Sequence, residues 1–347
     1  MTTDNVDRFD PRDKKICLND IPIPEPKPHE ILVKVACASL CHTDTMWFDP
    51  NEALQLSTEA KPVTLGHEAS GTVVGVGPAV KDFKISDPVG FLCTEGSCFE
   101  CRACKEVHNF WCEKGQQSFA GFGQDGYFQE YVAVNAKNAM VLPDGLSPSD
   151  AAPLFCAGVT AYHGIDDLQL PAGSWVAVVG CGGLGHLGIK YAKAMGYKVI
   201  GVDITDAAIE EAKASGAEHA FNTTADNDYA KKIVDITGGG VDAAVNFTAS
   251  GQSYADTPQL IRTGGIFMAV GIPKDPVPIN IFHIAMGKFQ LRGSNNGTCY
   301  NMRAAIEFSA KYGIKPTIEY HTLEQLPDMV DKMLSHKARG RMAVRFD

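Results

Sequence analysis

The sequence predicts an α/β protein of two domains, one built mainly of β-strands and the other on a doubly wound parallel sheet. The length of 347 residues allows two domains at roughly 150 residues each. The first part contains short β-branched segments bounded by Gly, Pro or Asp, which is typical of strands and turns. From Pro171 onwards, apolar strands alternate with helical segments, and this alternation indicates parallel βαβ units.

The predicted elements divide the chain at two points. In the first part, strands are expected at 31–36, 69–76 and 127–134. The second part is expected to alternate strands and helices over 175–179, 183–195, 198–202, 206–215, 226–236, 241–247, 252–261 and 266–270. The tail has two predicted helices and a strand, at 301–312, 323–333 and 341–346, which are too little for a third domain. We therefore expect one domain at 1–155, a parallel-sheet domain at 156–290, and a tail, 291–347, that rejoins the first.

Composition limits the classes of partner. Lys and Arg total 31 against 41 Asp and Glu, a formal net charge of −10, and no basic block occurs along the chain. Binding to nucleic acid or to anionic membranes depends on clustered positive charge and is therefore not expected. No run of about 18 apolar residues occurs, and residues 1–20 lack the apolar segment of a signal peptide. We expect a soluble, cytoplasmic protein.

A glycine-rich turn lies between the predicted strand and the predicted helix that open the second part. The pattern G-x-G-x-x-G is formed by Gly180, Cys181, Gly182, Gly183, Leu184 and Gly185. The first glycine allows a tight turn, the second lets the backbone approach a pyrophosphate, and the third lets the helix pack closely on the strand. Asp203 closes the next strand, where a carboxylate binds the adenosine ribose and repels a 2′-phosphate. These features predict a dinucleotide site that prefers NAD to NADP; the alternatives are an ordinary βα turn and a solvated carboxylate.

Four of the eleven cysteines lie close together in the first part. Cys98, Cys101, Cys104 and Cys112 have the spacing C-x2-C-x2-C-x7-C, and four thiolates form a closed tetrahedral zinc site with no position for substrate. The predicted role of this site is structural. An iron–sulfur cluster also takes four thiolates, but its usual spacings differ, and disulfides are not expected in a cytoplasmic protein.

A second group of potential metal ligands is scattered along the chain. Cys41 lies in Ser-Leu-Cys-His-Thr-Asp, His67 precedes Glu68, and Cys156 precedes Ala-Gly. Two thiolates and one imidazole would form an open zinc site that leaves a fourth position for a substrate. Spacing alone does not bring such distant residues together. Taken singly, each is also explained as a buried core cysteine or as a histidine bonded elsewhere.

Taken together and in this order, these segments resemble the zinc-dependent medium-chain alcohol dehydrogenases. The resemblance spans nearly the whole chain and is greatest to the fungal, yeast-type branch. It implies a GroES-like, mainly β catalytic domain and a Rossmann domain that binds NAD. It also implies two Zn²⁺ ions per chain and a small-molecule alcohol or aldehyde as substrate. The segments that carry it are Cys41-His42-Thr43-Asp44, Gly66-His67-Glu68, the four-cysteine lobe, Cys156-Ala157-Gly158 and the glycine turn.

The resemblance implies a role for each matching residue around the open site. Cys41, His67 and Cys156 would hold the catalytic zinc ion. Glu68 resembles a carboxylate that approaches the metal during ligand exchange, and Asp44 resembles an acid that orients a ligand histidine. The alternative for both carboxylates is an ordinary buried hydrogen-bonding role.

Other matching residues concern the cofactor and the alcohol proton. His42 and Arg341 match contacts to the cofactor pyrophosphate, and the alternative for each is a surface cation. Thr43 matches the hydroxyl that takes the proton from the alcohol and passes it toward the nicotinamide ribose. The next member of that relay is usually a histidine, but Met46 stands at its position. Either another group or water completes the relay, or proton transfer is slower.

The resemblance gives less information on the substrate. Trp47 is expected to line the pocket, and Cys93 stands where yeast-type enzymes carry a bulky aromatic side chain. The implied pocket is wider than one built for ethanol. We therefore expect transfer of hydride between NAD(H) and a primary or secondary alcohol, or the corresponding aldehyde or ketone, of more than two carbons.

Two other functions fit parts of the same pattern. One is a polyol dehydrogenase of the same superfamily, but many of those enzymes carry Glu at the position of Cys156. The other is a catalytically silent regulatory protein that binds NAD and zinc, but retention of all three open-site ligands with Thr43 argues against it. The resemblance further implies a homotetramer or homodimer.

Overall fold

The computed structural model describes residues 3–48, 61–115, 117–335, 337–338 and 340–346. The chain divides into two compact units, one comprising Met1–Ala157 with Gly297–Asp347 and the other Gly158–Asn296. The boundaries between the units lie after Ala157 and after Asn296. The sequence pattern predicted these two boundaries after residues 155 and 290. Within the described ranges, the helices are too short or too polar to cross a lipid bilayer.

The first unit begins with short strands joined by turns. They are β1 (Thr3–Asp10), β2 (Lys15–Pro22), β3 (Glu30–Leu40), β4 (Val63–Thr64), β5 (Glu68–Val76), β6 (Pro88–Phe91), β7 (Thr94–Glu95), β8 (Ser118–Phe119), β9 (Tyr131–Asn135) and β10 (Ala139–Val141). One sheet has the order β2-β1-β4, and β7 pairs with β8 as an antiparallel ribbon. On β3, alternate residues Ile31, Val33 and Val35 are buried, which is the period-two pattern of a strand with one face on the core.

The second unit is a parallel sheet with helical connections. Its elements are α1 (Ala157–Asp166), β11 (Trp175–Val179), α2 (Gly185–Ala194), β12 (Lys198–Asp203), α3 (Asp206–Ala214), β13 (His219–Asn222), α4 (Tyr229–Thr237), β14 (Val241–Asn246), α5 (Gly251–Asp256), β15 (Ile261–Ala269), α6 (Ile281–Ala285) and β16 (Phe289–Gly293). The strand order is β13-β12-β11-β14-β15-β16, and each neighbouring pair is parallel. The order reverses at β11, so the turn after β11 lies at the switch point where such sheets bind nucleotides.

The chain then returns to the first unit. The returning elements are α7 (Met302–Tyr312), β17 (Ile318–His321), α8 (Leu326–Leu334) and β18 (Arg341–Arg345). Strand β18 pairs antiparallel with β3, and Met342 lies opposite Leu40. The larger sheet of this unit therefore has the order β10-β6-β5-β3-β18-β17, with β9 also paired to β3. The predicted fold class, a mainly β domain with a doubly wound parallel-sheet domain, is confirmed.

The predicted strand at 127–134 is only partly formed. Strand β9 begins at Tyr131 because the backbone before it forms hydrogen bonds with a different segment of the chain. The amides of Tyr127 and Phe128 donate to the carbonyls of Gly66 and Leu65, each at 3.0 Å. These bonds fix the loop that precedes His67, so the irregular backbone at 127–130 supports a candidate site residue.

Candidate functional site

Four residues of the scattered group converge in the first unit. Cys41, His67, Glu68 and Cys156 each place one ligand atom within 4.8 Å of the others. His67 and Glu68 are fully buried, and Cys41 is only 5% exposed. Two sulfurs, one imidazole nitrogen and one carboxylate oxygen form a donor set of the kind that zinc binds in proteins. The residues present therefore fit a zinc ion.

Strand pairing and a tight turn bring these residues together. Cys41 follows the last residue of β3, and Glu68, the first residue of β5, lies opposite Ser39 on β3. Cys156 follows a helical turn, Ala152–Phe155. A Cβ on Gly90 would lie 1.9 Å from the ring of Phe155, so position 90 has no room for a side chain. Only glycine at that position lets the turn sit close enough to the sheet.

Asp44 connects two of the candidate ligands. Its Oδ1 lies 2.8 Å from Nδ1 of His67, and its Oδ2 accepts a hydrogen bond from the Cys41 amide at 2.9 Å. Because Nδ1 is occupied by the carboxylate, Nε2 is the nitrogen left for a metal. Asp44 is buried, so solvent does not compete for these bonds.

The electrostatics of the cluster favour a positive charge at its centre. A hydrogen bond from the Cys156 thiol lowers the pKa of Cys41 well below its ordinary value, against the effect of burial. That same bond, with burial, raises the pKa of Cys156. Burial opposes protonation of His67, but Asp44 and the Cys41 thiolate outweigh it and raise the His67 pKa. The Cys41 thiolate and the Asp44 carboxylate thus create a negative potential that attracts a cation.

The buried Glu68 is paired on two sides. Its carboxylate accepts a hydrogen bond from the Ser39 hydroxyl and forms an ion pair with the guanidinium of Arg341. Burial raises the pKa of Glu68 to about 7, although Arg341 opposes the rise. Arg341 is 3% exposed, so the alternative of a surface cation is wrong for this residue. No feature of the sequence pointed to Ser39 or to the partner of Arg341.

The remaining predicted residues around Cys41 differ in exposure. The Thr43 hydroxyl lies 3.8 Å from the Cys41 sulfur and is partly exposed, as is Met46, and His42 is exposed. Trp47 is almost fully buried and donates a hydrogen bond to the Gly121 carbonyl at 2.7 Å. Cys93 is completely buried, and burial raises its pKa to about 12. Cys93 therefore presents no surface to a substrate in this structure.

Two aromatic side chains, Phe119 and Phe122, lie near His67. The ring centroids of Phe119 and Phe122 lie 5.9 and 6.3 Å from the centroid of the His67 ring. Both residues are partly exposed. Their sequence neighbourhood, rich in Phe and Gly, gave no signal of a site, because only the folded turn brings them to His67.

The four clustered cysteines form a compact lobe. The sulfurs of Cys98, Cys101, Cys104 and Cys112 lie within 4.8 Å of one another. Burial opposes ionisation of Cys112, but backbone amides that include those of Cys98 and Gly115 donate to its sulfur and lower its pKa to about 6. Amides of residues 100 and 101 likewise donate to the Cys98 sulfur. Backbone donors aimed at thiolates are typical of a closed structural zinc site.

The glycine turn in the second unit has the geometry of an anion cradle. Gly180 adopts a positive φ of 86° between β11 and the turn. A Cβ on Gly185 would lie 1.7 Å from the Gly180 carbonyl oxygen, so only glycine lets α2 begin so close to the strand. By contrast, a Cβ on Gly182 would have no neighbouring atom within 4 Å, so the space beside this glycine is open. Helix α2 was predicted to begin at Gly183 but begins at Gly185. Gly183 and Leu184 therefore belong to the turn.

Asp203, the last residue of β12, is bonded to this turn. Its Oδ2 accepts from the Cys181 amide at 2.8 Å, and its Oδ1 accepts from the Ile204 amide at 2.7 Å and the Thr205 amide at 3.1 Å. These bonds hold the carboxylate at the carboxyl end of the sheet, beside the glycines. A ribose hydroxyl is the group such a carboxylate binds in dinucleotide sites.

Known proteins share this architecture and much of this sequence. A family model described as "Alcohol dehydrogenase GroES-like domain" matches residues 27–144, and one described as "Zinc-binding dehydrogenase" matches residues 183–311. An alcohol dehydrogenase of Geobacillus stearothermophilus is 34% identical over 96% of this chain and 97% of its own length. A second alcohol dehydrogenase of that organism is 33% identical over 96% of each chain.

Solved structures agree with this comparison. The alcohol dehydrogenase of Aeropyrum pernix has a TM-score of 0.86 and 26% identity, covering 99% of this chain and 100% of that one. The D-arabinose dehydrogenase of Sulfolobus solfataricus has a TM-score of 0.82 and 26% identity, covering both chains completely. The chain therefore belongs to the zinc-type alcohol dehydrogenase family.

Proposed function

We propose that this protein transfers hydride between NAD(H) and an alcohol, or its aldehyde or ketone, at a zinc ion bound by Cys41, His67 and Cys156. The observation that carries the proposal is the convergence of these three donors, which come from separate parts of the chain, within 4.8 Å. Three protein ligands leave one position open, as in catalytic zinc sites. A bound Zn²⁺ supplies Lewis acidity that lowers the pKa of an alcohol, and NAD accepts the hydride.

The chain's own residues position the reacting groups and manage the proton. Asp44 fixes the orientation of His67 through Nδ1, and it holds the Cys41 backbone through the other carboxylate oxygen. Thr43 is assigned the first step of proton removal, because its hydroxyl lies 3.8 Å from the Cys41 sulfur and is partly exposed. Met46 has no group that transfers a proton, so either another group or water would complete the path from the Thr43 hydroxyl, or proton transfer would be slower.

Glu68 is assigned a supporting role beside the ligands. Its carboxylate oxygen belongs to the same 4.8 Å cluster, and Arg341 and Ser39 hold it there. A carboxylate kept at this distance can approach the metal while one ligand is exchanged for another. The ion pair with Arg341 compensates the charge of the Glu68 carboxylate between such exchanges.

The cofactor is assigned to the second unit. The turn from Gly180 to Gly185 would receive the pyrophosphate at the N-terminus of α2, and Asp203 would bind the adenosine ribose and exclude a 2′-phosphate. His42 is exposed and is proposed as a pyrophosphate contact. Arg341 is proposed as a second contact from the family resemblance alone, since its guanidinium is buried against Glu68.

The four-cysteine lobe is assigned a second zinc ion with a structural role. All four positions of the tetrahedron are taken by Cys98, Cys101, Cys104 and Cys112, so substrate has no position there. The two sites differ in chemistry, because the lobe is closed and the Cys41 site is open. A chelator should therefore remove the ion of the open site first.

We also propose that the protein is a cytoplasmic homodimer or homotetramer of the fungal, yeast-type branch. The run Cys41-His42-Thr43-Asp44 supports the branch. Association is supported by α6 and the residue after it, where Ile281, Phe282 and Met286 are each more than 60% exposed near the edge strand β16. Exposed apolar clusters of this kind mark association surfaces. Light scattering after gel filtration would measure the subunit number.

A substrate panel tests the proposed reaction. Purified enzyme with two zinc ions per chain should form NADH from simple alcohols, and it should use NADP far less well than NAD. Chelation of one zinc ion should abolish NADH formation. Turnover confined to sorbitol and related polyols would favour the polyol alternative, and one resistant zinc ion without turnover would favour the silent regulatory protein.

A further inference from the structure

A buried asparagine ends strand β14 of the second unit. Asn246 is the last residue of this strand, and its side chain is fully buried. Its Oδ1 accepts hydrogen bonds from the amide and the hydroxyl of Thr248, at 2.9 and 2.8 Å. Its Nδ2 donates to the hydroxyls of Ser253 and Thr257, each at 2.9 Å. A side-chain amide has two donors and two acceptor positions, so all four are used.

The partners of this side chain determine which way its amide group points. The Thr248 backbone amide can only donate, so the atom that faces it is the oxygen of Asn246. The nitrogen therefore faces the hydroxyl of Ser253, on α5, and that of Thr257, directly after α5. Asn246 thus joins the loop that follows β14 to helix α5.

The loop held by Asn246 is packed against two other loops at the carboxyl edge of the sheet. The Asn246 carbonyl accepts from the amides of Val270 and Gly271, after β15, at 3.1 and 2.9 Å. A Cβ on Gly271 would lie 2.0 Å from the Thr248 carbonyl oxygen, and one on Gly180 would lie 2.7 Å from Thr248 Cγ2. Thr248 therefore lies directly against both the glycine turn after β11 and the loop after β15.

These loops lie on the other side of the glycine turn from Asp203. Strands β12 and β14 flank β11 on opposite sides. A dinucleotide binds across the carboxyl ends of such a sheet, with one mononucleotide on each half. Asp203 ends β12 and is assigned the adenosine ribose, so the loops after β14 and β15 border the nicotinamide half. Ala249 and Ser250 in the first loop are exposed, whereas Asn246 is buried and acts only through the loops that it holds.

We propose that Asn246 is a positioning residue for the nicotinamide half of the cofactor, because it holds the loops after β14 and β15 in place before the cofactor binds. The inference rests on the proposed function, since it requires NAD to bind at the glycine turn. A loop that is already ordered loses less conformational freedom on binding, so the bonds of Asn246 increase cofactor affinity without contact. ADP contains the adenosine and the pyrophosphate but not the nicotinamide riboside, so its affinity does not depend on these loops.

The variant Asn246→Leu tests this role, because leucine keeps the branched shape of the side chain and removes its four hydrogen bonds. Calorimetry with the zinc-loaded enzyme measures Kd for NADH and for ADP, and circular dichroism confirms the fold. The ratio of the NADH Kd to the ADP Kd should rise about 5- to 30-fold, as expected for loss of the two bonds to Thr248. A purely structural defect would change both Kd values alike. An unchanged ratio in the folded variant overturns the proposal.

A milder pair of variants keeps the test valid if Asn246→Leu does not fold. Thr248→Val removes the hydroxyl that donates to Asn246 and keeps the size of the side chain, so the ratio should rise about 2- to 5-fold. Thr248→Ser retains the hydroxyl and should bind both ligands as the wild type does. A ratio that is the same in Thr248→Val and in the wild type contradicts the proposal.

Asn222→Leu is the matched control variant. Asn222 ends β13, and its Oδ1 accepts from the amide and the hydroxyl of Thr224, at 3.0 and 2.8 Å, in the same arrangement. Strand β13 lies beyond β12, on the adenosine side of the sheet. This variant should leave the ratio of the two Kd values unchanged. A rise as large as that of Asn246→Leu would show a general effect of losing an asparagine at a strand end and would contradict the proposal.

The binding measurements separate this role from the reaction, because neither of them involves an alcohol. Alcohol oxidation by the wild type, with the same Kd ratio in wild type and Asn246→Leu, would support the proposed function and refute the role of Asn246. A raised ratio in Asn246→Leu, with no turnover of any alcohol by the wild type, would support the role of Asn246 and refute hydride transfer. A wild-type enzyme that binds neither NADH nor ADP would refute both.

Discussion

The guanidinium of Arg341 is paired with the Glu68 carboxylate in the interior of the first unit, although 273 positions separate them in the sequence. Arg341 is 3% exposed and Glu68 is not exposed at all. The pair forms because β18 lies beside β3, and β3 lies beside β5, which Glu68 begins. A returning C-terminal strand thus completes the surroundings of ligands that lie near the N-terminus.

Breaking this ion pair should destabilise the protein strongly. Arg341→Met leaves a buried carboxylate without its charged partner, and we expect the free energy of unfolding to fall by about 3 kcal/mol. Urea denaturation followed by circular dichroism measures the change. Arg303→Met is the matched control, because Arg303 pairs with Glu307 on the surface of α7 and should contribute less than about 1 kcal/mol.

Removing both charges should recover much of the lost stability. In the double variant Glu68→Gln with Arg341→Met, no buried charge remains uncompensated, so its free energy of unfolding should exceed that of Arg341→Met alone. A double variant less stable than either single variant would contradict this account of the ion pair.

Asp44 should control the affinity of the open site for zinc. Asp44→Asn keeps the size of the side chain but weakens its bond to Nδ1 of His67, so we expect zinc affinity to fall about 10- to 100-fold. Competition with a chromogenic chelator measures the affinity of each ion. The ion in the four-cysteine lobe provides the internal control, since its affinity should not change. Equal affinity of the open site in wild type and variant would show that Asp44 does not orient His67.

Asp203 should determine the choice of cofactor. Asp203→Ser removes the charge that binds the ribose and repels a 2′-phosphate, and a charged hydrogen bond contributes about 1.5–3 kcal/mol. We therefore expect the ratio of kcat/KM for NAD to that for NADP to fall about 10- to 100-fold. Loss of activity with both cofactors in equal proportion would instead indicate collapse of the turn that Asp203 holds through the Cys181 amide.

Glu95, at the base of the four-cysteine lobe, should make stability depend on pH. Its Oε1 accepts from the Asn135 amide at 3.4 Å, and burial raises its pKa from 4.5 to about 7. Between these pH values the folded protein binds a proton that the unfolded chain has lost, so stability falls as the pH rises from about 4.5 to about 7.

The variant Glu95→Gln isolates this effect from other titrating groups. Its free energy of unfolding relative to wild type should increase by about 2 kcal/mol between pH 5 and pH 8, because glutamine does not ionise. Thermal or urea unfolding at both pH values measures the difference. The same difference at pH 5 and pH 8 would show that Glu95 titrates normally.

Local patterns in the sequence predicted local structures well. The turn from Gly180 to Gly185 was visible because steric requirements and the flanking strand and helix lie within a few residues. The four-cysteine lobe was visible for the same reason, since all its sulfurs come from a short segment. The fold class followed from alternating strands and helices, a pattern that is also read along the chain.

Contacts between distant segments were not visible in the same way. Cys41, His67 and Cys156 could be grouped only through a family resemblance, because their convergence depends on strand pairing and on the turn that Phe155 anchors. The partner of Arg341 left no signal, since an arginine is usually a surface cation. The sequence also did not show that the Cys93 side chain is completely buried, so the space expected at that position is absent from the structure.

The most direct test of the central claim is a crystal structure of the purified enzyme with anomalous data collected at the zinc absorption edge. The account predicts two anomalous peaks per chain. One should lie about 2.3 Å from the sulfurs of Cys41 and Cys156 and about 2.0 Å from Nε2 of His67, and the other should lie within the four-cysteine lobe. A peak in the lobe alone, from enzyme that still oxidises alcohols with NAD, would contradict it.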